Sequence, residues 1–91
     1  SMPYMYADEP ERIEFIADNK IVDQIVDWFG KEVRMSELPD SKKKIKVEVV
    51  ASPRAMEYWA LQYGNHVEVT KPESLRKRII ESINSAARKY I

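Results

Sequence analysis

The sequence predicts an α+β sandwich, a four-stranded antiparallel sheet carrying helices on one face, with one further helix at its end. Two residue patterns carry this expectation. Short segments with alternating apolar residues, such as Ile45, Val47 and Val49, are separated by segments whose apolar residues recur at helical spacing, such as Met56, Trp59, Ala60 and Tyr63. The two patterns run twice through 91 residues in the order βαββαβ. Turn and cap residues stand between them: Gly30, Pro39-Asp40-Ser41, Ser52-Pro53, Gly64 and Pro72.

Each element has its own signature. Ile13 and Phe15 alternate with Arg12 and Glu14 as a first strand, and Asp18-Asn19 supplies cap chemistry for a helix lined by Ile21, Val22, Ile25, Val26 and Phe29. Gly30 closes that helix. Val33 and Met35 alternate as a second strand, and Pro39-Asp40-Ser41 turns the chain into a third, read from Lys44. Ser52-Pro53 opens the second helix, because a serine oxygen accepts free amides and proline's fixed φ suits the first helical position. Gly64 stands where a left-handed residue ends a helix, and Val67 and Val69 form the fourth strand. Pro72 opens the last helix, whose stripe of Leu75, Ile79, Ile83, Ala87 and Tyr90 predicts docking on its own domain or on a neighbour's. The whole is the ferredoxin-like split βαβ arrangement with an additional C-terminal helix. Residues 12–91 read as one ferredoxin-like domain. Residues 1–11 read as linker or tail, with Tyr4, Met5 and Tyr6 apolar and Asp8 to Glu11 acidic, and Ser1-Met2 resembles a cloning scar ahead of an interdomain linker, so the chain reads as an excised domain.

Composition narrows the function. The chain has no cysteine, hence no disulfide, thiolate metal site or cysteine nucleophile. No apolar run approaches the ~18 residues of a membrane span and no signal peptide is visible, so the expected location is the cytoplasm, without membrane contact. His66 is the only histidine, and glycine-rich phosphate loops, paired helical histidines and a nucleophile elbow are absent. Neither an enzyme nor a cofactor is expected.

Net charge is zero, yet residues 1–40 hold ten acids against four bases and residues 41–91 carry the compensating excess of positive charge. Two readings follow: halves that neutralise each other within the fold or a dimer, or a basic face for nucleic acid. Arg12, Arg34, Lys44 and Lys46 are the candidate basic face. Lys42, Lys44 and Lys46, which alternate to one face of the third strand, are most simply a solvated face when paired with Glu14 and Glu48, and an open strip for phosphates when joined by Arg12 and Arg34. RNA-binding domains of this topology stack bases on aromatic residues of the central strands, and here those outward positions are Arg12, Glu14, Ile16, Lys44, Lys46 and Glu48. The stacking platform is missing.

Several stretches carry a family resemblance. Pro3-Tyr4-Met5-Tyr6 before an acidic stretch, Asp18-Asn19-Lys20-Ile21-Val22-Asp23, Phe29-Gly30-Lys31-Glu32-Val33, the run from Leu61 to Val69, and Pro72-Glu73-Ser74-Leu75-Arg76 together resemble the C-terminal extension, WCX, of WYL-domain transcriptional regulators. In that family a helix-turn-helix DNA-binding domain and a small WYL barrel precede the extension. The resemblance implies bacterial transcription control, a homodimer, contacts with barrel and DNA-binding domain in the full-length chain, and DNA binding through that full-length protein only. The Trp-Tyr-Leu motif belongs to the barrel, and Trp28, Tyr58 and Trp59 are not it.

Candidate interface residues are Trp28, at the rim of the first helix's stripe, and Tyr58 with Leu61, on the side of their helix opposite Trp59 and Tyr63. The alternatives are a rim tryptophan covering the core edge and scattered surface exposure. Arg76, Tyr63 and Tyr90 are the candidate ligand or anion contacts, which a small-molecule sensing module would bring together. For Arg76 a structural salt bridge is the plainer reading.

Overall fold

The chain folds into β1 (Glu11–Asp18), a 3-10 turn (Asn19–Ile21), α1 (Val22–Phe29), β2 (Arg34–Leu38), β3 (Ser41–Ala51), α2 (Pro53–Gln62), β4 (Val67–Lys71) and α3 (Glu73–Arg88). The computed structural model describes Met5 and residues 9–91, so the expected contributions of Tyr4, Tyr6 and Asp8 lie outside the described residues.

The four strands form one antiparallel sheet in the order β2-β3-β1-β4. The central pair, β1 and β3, is in register from Glu11↔Ala51 to Asp18↔Lys44. That register puts Ile13, Phe15 and Ala17 beside Val49, Val47 and Ile45 on one face and leaves Arg12, Glu14 and Ile16 beside Val50, Glu48 and Lys46 on the other. The first set meets Ile21, Ile25 and Phe29 of the α1 region and Ala55, Met56, Trp59 and Ala60 of α2 in a single buried cluster that includes Val69 and Leu75. Rings concentrate at its centre, with Phe15 5.3 Å and Phe29 4.9 Å from Trp59, and Tyr63 5.0 Å away on the next turn.

Several local expectations are corrected. Asp18 and Asn19 cap no helix. Asn19 Nδ2 donates to the Lys42 carbonyl at 2.6 Å, Asp18 Oδ2 lies 2.9 Å from His66 Nδ1, and the Asp18 amide donates to the His66 carbonyl at 3.0 Å. Their polar groups are satisfied by neighbouring strands and loops, and the chain enters α1 through a 3-10 turn instead. Gly64 is not left-handed: among the described residues Gly30 alone has positive φ, at 82°. Gly64 serves close approach, since a Cβ there would lie 3.3 Å from the Leu61 carbonyl oxygen. β3 begins at Ser41 rather than Lys44.

The N-terminal stretch expected to be a tail contributes to the fold. Glu11 opens β1, and Met5 is fully buried in the core cluster, its carbonyl accepting the Ser52 amide at 2.6 Å. Ser52 is the expected N-cap of α2, its Oγ accepting from the Ala55 amide at 3.2 Å with Pro53 at the first helical position. The expected docking of the last helix holds for its first half only. Leu75 is buried and Ile79 packs against the core, but every residue from Ile83 onward is exposed.

Candidate functional site

Two surfaces remain after the core is assembled. The first is apolar and lies on the helices. Glu57 of α2 holds α3 with both carboxylate oxygens, Oε1 at 3.1 Å from Arg78 Nε and Oε2 accepting from Ser82 Oγ at 3.1 Å. Beyond Ser82 the helix leaves the domain. Ile80, Ile83 and Ala87 fall within an arc of about 60° at 100° per residue. Ile80 is 46% and Ile83 52% exposed, and Tyr90 and Ile91 continue the apolar run in full exposure. Tyr58 and Leu61 on α2 are also among the exposed large hydrophobic residues, with Tyr58 at 56%. Trp28, by contrast, is partly buried against the core, where a rim tryptophan would sit.

The second surface is a corner of the sheet. β2 pairs with β3 only as far as Arg34↔Glu48, whereas β3 runs on to Ala51 beside β1. Among the described residues Val49, Val50 and Ala51 therefore have a strand neighbour on one side only. A cavity of about 620 Å³ opens there, lined by Phe29, Val33 and Val49 toward the core and by Arg12, Arg34, Lys46, Lys71, Glu14, Glu32 and Glu48 around it, with Val50 among them. Three of the four candidate basic-face residues thus share one cavity. Lys44 does not line it; its register partner is Asp18, at the far end of β1.

The charges around the cavity are unequally engaged. Lys46 Nζ stands 3.6 Å from Glu48 Oε1 and 4.0 Å from Glu14 Oε1, and Glu14 Oε2 also accepts from Thr70 Oγ1 at 2.6 Å. Arg12, Arg34 and Lys71 make no ion pair among the described residues. Lys46 is thus paired as the solvated-face reading expects, and Arg12 and Arg34 stand exposed to solvent.

Arg76, Tyr63 and Tyr90 do not line this cavity. Arg76 Nη1 donates to the Val69 carbonyl at 2.8 Å and to Glu68 Oε2 at 3.0 Å, the structural role weighed against anion binding. Tyr63 packs against Trp59, and Tyr90 is 91% exposed. Sequence reasoning passed over Lys71, Glu32 and Val50. Val50 carried a readable signal: following Val49, it puts an apolar residue on the polar face of an alternating strand.

Among the described residues no group of three histidine, cysteine or acidic side chains is placed to hold a metal ion, and no helix is long and apolar enough to cross a membrane. The fold is thus a mixed α/β domain with an open antiparallel face and a half-docked last helix. The WCX domain family's sequence model matches residues 9–87, and the chain belongs to that family. A comparison with curated proteins finds no match.

Proposed function

We propose that this domain is the C-terminal regulatory and dimerisation module of a bacterial WYL-type transcriptional regulator, a cytoplasmic, non-enzymatic unit that helps to sense an effector or transmit its signal. Membership of the WCX family supports the regulatory part of this reading. The strand order, with β1 and β3 central and each βαβ unit straddling one strand, supports a ferredoxin-like assignment. The observation that carries dimerisation is the free apolar face of α3. Ile80 and Ile83 stand on a helix that outruns the domain holding it, and such a face is stabilised by a partner that removes it from water. A second copy of the same helix is complementary to it by symmetry.

Light scattering over a wide concentration range, at low and high salt, tests this. A dimer that persists at high salt is expected, because apolar association is not screened. Ile83→Glu should weaken it at least ~30-fold, the effect of losing about 2 kcal/mol at an interface anchor, without changing the circular dichroism of the monomer. A wild-type chain that stays monomeric throughout overturns the proposal.

A further inference from the structure

The sheet corner carries chemistry that a dimerisation module does not need. We infer that its cavity binds a small amphipathic anion, a carboxylate attached to an apolar body the size of an aromatic ring. This inference does not rest on the dimer.

Three features select that class. The volume of about 620 Å³ lies within the usual range for small-molecule pockets. Its apolar part, Phe29, Val33 and Val49, reaches the edge of the core, and Val50 stands 52% exposed on the open face beside it. Phe29 is 2% and Val49 7% exposed, so the apolar surface still in water there belongs to Val33 and Val50, and a ligand with an apolar body covers it. The lining carries one net positive charge, Arg12, Arg34, Lys46 and Lys71 against Glu14, Glu32 and Glu48, and of the four cations only Lys46 is in an ion pair among the described residues. A guanidinium offers a planar fork that matches a carboxylate with two parallel hydrogen bonds.

The same features disfavour the competing occupants. Nucleic acid would want aromatic platforms on the open strands, and the outward residues Arg12, Glu14, Ile16, Lys46 and Glu48 supply none. An added peptide strand would find, among the described residues, only Val49 to Ala51 unpaired on that side of β3, too short a ladder to hold one.

The test is a titration of the ¹⁵N-labelled chain with benzoate, with inorganic phosphate as the comparison, read by amide chemical shifts. Benzoate should give saturable shifts centred on Val33, Arg34, Val49 and Val50, and the Arg12→Gln/Arg34→Gln double variant should weaken binding at least tenfold. Ile83→Glu should leave the benzoate affinity unchanged, which separates this site from the α3 face. Equal binding of phosphate, shifts centred on α3, shifts that never saturate, or an unchanged affinity in the double variant would each overturn the inference.

Discussion

Trp59 is 2% exposed and packs against three other rings, yet its indole N–H has no hydrogen-bond partner among the described residues. The ring of Phe29 meets it edge-on at 79°, so the indole is held by packing, and its polar atom carries a desolvation cost. The two contributions can be separated. Trp59→Phe keeps most of the packing and removes the orphan donor, so it should cost under about 1.5 kcal/mol, whereas Trp59→Ala should cost about 3–5 kcal/mol. Urea denaturation midpoints decide; equal losses would mean that the donor is satisfied and the ring shape secondary. Ser52 is a different case. It is buried and caps α2, and Ser52→Ala should cost about 1 kcal/mol in the same assay.

At the scale of elements, edges and ends govern behaviour. β4 is an outer strand, and the Arg76 guanidinium occupies its Val69 carbonyl, reducing what that edge offers to another strand. Arg76→Met should lower stability by about 1 kcal/mol, read from the same denaturation curves. For α3, a chain ending at Ser82 should unfold within about 0.5 kcal/mol of the full chain when compared as monomers, because the residues removed are exposed. The same chain should lose the proposed self-association, as light scattering would show. The element order was legible because alternation and helical stripes are local signals: Ile13/Phe15, Val47/Val49 and Met56/Trp59/Ala60 all face the core as their spacing required. The cap at Asp18-Asn19 misled because its partners, His66 and Lys42, come from distant parts of the chain. The stripe of α3 misled for a related reason. Periodicity shows that a face is apolar, while the length of the neighbouring α2 decides how much of it is covered.

For the whole molecule, the acidic and basic halves interleave. β1 and β2 come from the acidic half and β3 from the basic half, and the pairing of β1 with β3 brings Glu14 within 4.0 Å of Lys46, which also meets Glu48 of its own strand. Alternating charge of this kind gives little net field, so the isolated chain should show no retention of single- or double-stranded DNA by fluorescence anisotropy at physiological salt. Tight, steeply salt-dependent binding would restore the basic-face reading. The candidate site was half legible at this scale. Arg12, Arg34 and Lys46 were readable as outward cations, but the cavity exists because β2 stops pairing at Arg34↔Glu48, a matter of register between segments that no local pattern specifies. Met5 connects these regions mechanically. Its side chain is locked in the core and its carbonyl holds the first amide of the α2 cap, while Glu57 on the same ten-residue helix grips α3. Met5 and the last helix are thus fastened to one short lever, α2, which ties the stretch ahead of β1 to the exposed apolar face of α3.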